Sequence, residues 1–262
     1  MLRAALRSYR FLLFGPVLLI GASVFFPSCS ARIEGTLRQD GTAELRVDAS
    51  LEPRMTALIR SLSRMMGSLS GETGSSSGGE ERFFDGPSIA KSMAAAPGVA
   101  AVSLVNTGPT AIAGTISLSR VDAFPSAPAL SGGDTGGAAA GSRFIRYEPE
   151  GRLLITVDRA SAPLLLSLFS PEISDYLSAL MAPVVTGENL TRSEYLDLVT
   201  SFYGRPLADE IAASRIAITI DFPRPVTAIT GGTARDNRAR FSLPLTDFLV
   251  PEKSLVYEVV WK

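Results

Sequence analysis

Polar and apolar residues alternate through the stretch ARIEGTLRQDGTAELRVDAS, residues 31–50. Ala43, Leu45, Val47 and Ala49 fall on one side, and Glu44, Arg46 and Asp48 on the other. A period of two is that of a strand with one buried face. Asp40-Gly41 interrupts the alternation with a tight-turn pair, so the stretch predicts a β-hairpin. The period then changes. In LEPRMTALIRSLSRMMG, Met55, Leu58, Leu62 and Met65 recur every three or four residues. That is the buried stripe of a helix, with Pro53 in its first turn and Gly67 at its end. GPSIAKSMAAAPGVAAVSLVN predicts a short helix, a Pro-Gly break and a strand from Val99 to Val105. The next strand puts Ile112, Ile116 and Leu118 on one face. FIRYEPEGRLLITVD predicts another hairpin around Glu150-Gly151.

SAPLLLSLFSPEISDYLSALM reads as helical. Ser170-Pro171-Glu172 (an N-cap followed by a proline suited to the first helical position) divides or kinks it. TRSEYLDLVTSFYG is a helix with Thr191 and Glu194 as a capping box and Gly204 as its stop. The chain closes in strands: RIAITIDF, with Ile216, Ile218, Ile220 and Phe222 on one face, then PVTAI, RARFSL and LVYEVVWK. Gly231-Gly232 is expected to turn the middle pair. The order β-β-α-α-β-β-β-β-α-α-β-β-β-β predicts an α+β fold. Its sheet is largely antiparallel and built of several hairpins, with helices packed on one face.

Two stretches fit neither period. GSLSGETGSSSGGEE, 67–81, is Gly, Ser and acid, and PSAPALSGGDTGGAAAGS, 125–142, is Gly, Ala, Ser and Pro. Neither composition can bury a core, and both are read as flexible linkers. The chain then divides into an N-terminal α+β part, 29–124, with a flexible insertion at 67–86, a linker at 125–142, and a C-terminal α+β part, 143–262. The two parts are expected to share one sheet.

The front of the chain has a different character. Arg3, Arg7 and Arg10 precede FLLFGPVLLIGASVFF, residues 11–26, which carries no charge. A basic start followed by an apolar run is the pattern of an export signal, here residues 1–28. The run is shorter than the roughly 20 residues that span a bilayer, and Gly15-Pro16 interrupts it. A retained membrane helix is the second reading. Ser28-Cys29 closes the run and resembles the lipobox of bacterial lipoproteins. Phe26 and Pro27 occupy the two positions before Ser28, as in the relaxed boxes of spirochaetal type. The resemblance implies that Cys29 carries the lipid and that the chain is cut before it. Cys29 is the chain's single cysteine, so it cannot close an internal disulfide. The alternative is a free or buried thiol beside an ordinary cleavage site. Two or three acyl chains on one residue anchor persistently, at about 0.8 kcal/mol per buried methylene. The first strand is expected about four residues beyond Cys29, close enough to hold the domain against the bilayer.

Composition narrows the chemistry. Without Arg3, Arg7 and Arg10, the 25 basic residues fall to 22 against 26 acidic ones, a net charge of −4. A mildly acidic domain offers no footprint for nucleic acid. There is no histidine, which excludes Ser-His-Asp and Cys-His catalysis and histidine metal sites. Ser88-Ile89-Ala90-Lys91 matches S-x-x-K, but S-D-N and K-T-G partners are missing. Gly74-Ser75-Ser76-Ser77-Gly78 matches G-x-S-x-G inside a Gly/Ser tract with no strand before it. Glu172, Asp175, Glu188, Glu194 and Asp197 offer carboxylates, read as caps and solvated helix faces. No catalytic residue, metal or cofactor is expected.

APGVAAVSLVN, SLSRVDAF and DFPRPVTAITGG…ARFSLPLTDFL…YEVVWK, together with the opening CSARIEGTLRQDGTAELRVDAS, resemble the LppM-like group of bacterial lipoproteins. The resemblance implies an exported domain that binds lipids or glycolipids. The most apolar mature stretch is a core helix or the wall of an apolar pocket, with Leu164, Leu165, Leu168, Phe169, Ile173 and Tyr176 as candidate lining. The expectation is a non-enzymatic exported protein. Its partner is a membrane of the cell envelope, reached through the lipid on Cys29. A structural or surface-exposed lipoprotein without a small ligand is the alternative.

Overall fold

The structure is a computed structural model that describes residues 30–51, 54–57, 61, 84–123, 144–159, 161, 177–178 and 180–262. The elements are β1 (Ser30–Leu37), β2 (Ala43–Ser50), α1 (Gly86–Ala94), β3 (Val99–Gly108), β4 (Ala111–Leu118), β5 (Ile145–Glu148), β6 (Arg152–Val157) and α2 (Pro183–Thr186). They continue with α3 (Arg192–Tyr203), α4 (Arg205–Ala213), β7 (Arg215–Asp221), β8 (Val226–Thr230), β9 (Gly232–Arg235), β10 (Arg238–Pro244), α5 (Leu245–Leu249) and β11 (Leu255–Trp261). The class is α+β, as the pattern predicts.

The strands form two sheets. One has seven strands in the order β3-β4-β2-β1-β7-β10-β9, the other four in the order β5-β6-β11-β8. Among the described residues all pairings are antiparallel except β1 with β7, which sets Ser30 beside Arg215 and Thr36 beside Asp221. The predicted first hairpin is present, Ala31 facing Ala49 and Leu37 facing Ala43. Its turn closes through the Gly41 N–H donating to Arg38 O at 3.1 Å and the Arg38 N–H to Thr42 O at 2.8 Å, with Gly41 at φ 81°. The alternating period decides which face is buried. Leu37, Ala43, Leu104, Ile112, Ile116, Leu118, Ala239 and Phe241 of the larger sheet point inward, and Ile145, Leu153, Val259 and Trp261 of the smaller sheet meet them. Helix α1 adds Ile89 and Met93 to the same core. The outer face of the larger sheet carries the polar set: Arg32, Glu34, Glu44, Arg46, Asp48, Arg238 and Arg240 are all exposed.

A second core gathers the helices. Leu177, Leu180, Tyr195, Val199, Leu207, Ile211, Leu249 and Val250 close around Val157 at the end of β6, together with Met55 from a helical stretch at 54–57. The capping box at the start of α3 forms as predicted. The Glu194 N–H donates to Thr191 Oγ1 at 3.3 Å and the Thr191 N–H to Glu194 Oε2 at 2.7 Å. The Thr191 N–H and hydroxyl both donate to Glu194 Oε2, which favours the ionised carboxylate and holds the Glu194 pKa below its usual value.

Four expectations are corrected. The strands divide between two sheets, because alternation gives a strand its faces and leaves its neighbours open. Helix α4 is additional; the order given above passes directly from α3 to β7. Gly231-Gly232 does not turn a hairpin between PVTAI and RARFSL. The chain bends there from β8 in one sheet to β9 in the other, and the β9–β10 hairpin turns on Asp236-Asn237, with Asp236 at φ 54°. Finally, β1 begins at Ser30, the residue after Cys29, and not four residues on. Within the interval 67–86 read as a flexible insertion, Phe84 is buried and Gly86 opens α1, while residues 67–83 lie outside the described residues.

Candidate functional site

Two places on the molecule bear on function: the end of the larger sheet where β1 starts, and a polar depression beside the helical core.

At the first, register lines up one row across the sheet. Gly108 faces Ala111, Ala111 faces Ser50, Ser30 pairs with Arg215, and Arg215 faces Pro244. The Leu51 N–H donates to Thr110 O at 3.0 Å, closing the β3–β4 turn onto the end of β2. Helix α4 enters β7 at this end and α5 leaves β10 from it, bridged by the Leu245 N–H to Ser214 O at 3.0 Å. The Arg215 guanidinium caps α4 by donating to Ala212 O at 2.8 Å and Ser214 O at 2.9 Å, a cation where the helix dipole favours one.

The depression is open and shallow, lined by Asp158, Arg159, Asn189, Pro251, Glu252, Lys253 and Ser254. Its carboxylates are engaged by backbone donors. Asp158 Oδ1 accepts the Ser161 N–H at 2.8 Å, and Glu252 accepts the N–H of Arg192 at the start of α3. Arg159 donates to Asn189, and Arg192 pairs with Asp247 close by. A charged, solvated lining of this kind does not suit an apolar ligand.

Cys29 and the pocket candidates Leu164, Leu165, Leu168, Phe169, Ile173 and Tyr176 lie outside the described residues, as do Gly74–Gly78, Glu172 and Asp175. Ser88 and Lys91 are both exposed on α1, whose buried face is Ile89 and Met93. They share no hydrogen bond, and the Ser88 N–H serves the cap, donating to Asp85 Oδ1 at 3.2 Å. Glu188 and Asp197 are exposed and Glu194 is the capping residue. Among the described residues no group of three acids or thiols could hold a metal, and no helix is long and apolar enough to cross a membrane.

Sequence reasoning missed Tyr195. It faces the helical core, fully buried, and among the described residues its hydroxyl has no hydrogen-bond partner. Burial pushes the phenol pKa well above its ordinary value. An unpaired buried hydroxyl costs about 1–3 kcal/mol. Tyr195→Phe removes that oxygen and keeps the ring, so it is expected to be neutral or to stabilise by up to about 1 kcal/mol. Urea denaturation checks this; a clear loss of stability would mean that the hydroxyl has a partner in solution.

The chain matches no protein-family model, and no curated protein matches it. Among solved structures it is similar to the NMR structure of the folded domain of the Mycobacterium tuberculosis LppM protein. The identity is 14%, the TM-score 0.33, and 90% of each chain is covered. Likeness at this level transfers no property to this chain.

Proposed function

We propose that this is an exported lipoprotein, anchored to the cell envelope through a lipid on Cys29. Its α+β domain is non-enzymatic and binds a lipid or other apolar ligand, or an envelope partner. One observation supports the anchoring: β1 begins at Ser30, the residue after the single cysteine that closes the apolar run. A lipid on Cys29 places the acyl chains one residue from the first paired strand. Residues 11–26 direct export and are removed with the rest of 1–28.

Cys29→Ala tests the anchor. In detergent-phase partitioning of the expressed full chain, the wild type is expected in the detergent phase at its processed mass, and the variant unprocessed or in the aqueous phase. A variant that partitions and migrates like the wild type would overturn lipidation in favour of a retained helix. Ligand binding is tested separately by native mass spectrometry of the purified domain, where a co-purifying lipid is expected. The polar depression favours a second reading, a structural or surface-exposed lipoprotein without an apolar ligand. A domain that carries no lipid out of the cell supports that reading.

A further inference from the structure

The geometry points to one end of the molecule as a membrane-contacting surface. This is the row Gly108, Ala111, Ser50, Ser30, Arg215 and Pro244, with the β3–β4 turn beyond it. The opposite end is held away from the bilayer. The inference rests on the proposed lipid at Cys29 and adds to it an orientation.

Adjacent Cα atoms are about 3.8 Å apart, so a lipid on Cys29 leaves almost no tether before Ser30. From Ser30 the chain is fixed in the sheet, since Ser30 pairs with Arg215 and Ala31 with both Ala49 and Ile216. A domain on a long tether would sample every orientation; this one would not. The place of β1 in the sheet matters as much. It is the fourth of seven strands, with three on either side. An anchor at a corner would let the sheet lie flat, whereas an anchor at the middle of its end makes the strands rise from the surface. Eight residues at roughly 3.3 Å each put the β1–β2 turn about 25 Å from the anchor.

Charge adds only a little. The row at the anchored end holds one cation, Arg215, and no carboxylate. Arg54, four residues past Ser50, is exposed, and Glu210 stands beside it, accepting the Met55 N–H at 3.0 Å. At the far end, around the turns 38–42 and 236–237, the acids Glu44, Asp236 and Asp221 pair with Arg38, Arg235 and Arg238, and Asp40 stands among them. An anionic bilayer therefore meets Arg215 at the first end and a nearly neutral set at the second.

The test uses the mature lipidated protein in vesicles of phosphatidylcholine and phosphatidylglycerol carrying a headgroup quencher. With Cys29 blocked by its lipid, single cysteines accept a fluorophore at exposed positions: Thr107→Cys and Arg54→Cys near the anchor, Gln39→Cys and Arg235→Cys far from it. Quenching several-fold stronger at Thr107 and Arg54 is expected. Equal quenching at all four positions, with protein that still floats with the vesicles, would overturn the orientation and leave the anchor standing. Protein that does not float at all would overturn both.

Discussion

Trp261→Ala is expected to lower the stability of the domain by about 3–5 kcal/mol, the range for removing a buried aromatic side chain. A penultimate residue would ordinarily be free to fray. Here Trp261 is 2% exposed and sits in the core shared by the two sheets. Its ring lies 5.0 Å from that of Phe222 and 6.1 Å from that of Tyr147. The Trp261 backbone N–H, which the substitution leaves in place, donates to Gly151 O at 2.9 Å. The Tyr147 hydroxyl donates in turn to Gln39 O at 2.6 Å, in the first hairpin's turn. Trp261 thus ties β11 of the smaller sheet to Phe222, which follows β7 of the larger sheet, and to Tyr147 of β5. Urea denaturation of the domain measures the loss. A stability within about 1 kcal/mol of wild type would show that the Trp261 ring contributes little to the core.

Gly151→Ala should also be strongly damaging, at about 2–5 kcal/mol. Two costs combine. Gly151 sits at φ 115°, where a side chain is strained by about 1–2 kcal/mol. An added Cβ would also lie 2.1 Å from Trp261 O, a clash that forces β11 from β6 and adds an overpacking cost of about 1–3 kcal/mol. Gly187 is the control. Its φ is 75°, but nothing lies within 4 Å of an added Cβ, so Gly187→Ala should show the backbone cost alone, about 1–2 kcal/mol. If both alanine variants unfold at the same urea concentration, the contact with Trp261 does not carry the effect. Gly151 and Trp261 touch, so their losses should not add.

What could be read from the chain was local. The first hairpin is visible because its alternation and its Asp-Gly turn lie within 20 residues, and α3 because its cap and its stop are both local signals. Helix α4 left a weaker trace: Pro206 in its first turn and Leu207 and Ile211 four apart, over only nine residues. The partition into two sheets left none, since β8 and β9 are separated by Gly231 alone and alternate like one hairpin. The parallel pairing of β1 with β7 joins residues about 185 positions apart, and nothing near either strand names the other. Of the candidate site, Cys29 and the apolar stretch around Leu165 stand out in the sequence by their chemistry alone. The polar depression was invisible because its residues come from three separate loops.

That parallel pairing also dictates an order of events. The chain's first strand is an interior strand of the larger sheet, and its second neighbour is not available until residues 215–221 exist. Every product of synthesis that stops short of β7 leaves β1 with a row of unpaired backbone groups on one side, a template for wrong partners. Closing so long a loop is slow, because its entropy is lost before the contacts repay it. A chain threaded outward from its N-terminus would therefore emerge unfolded for most of its length and acquire its structure in a late, concerted step. Truncations before Pro244 are expected to aggregate instead of yielding a smaller stable unit.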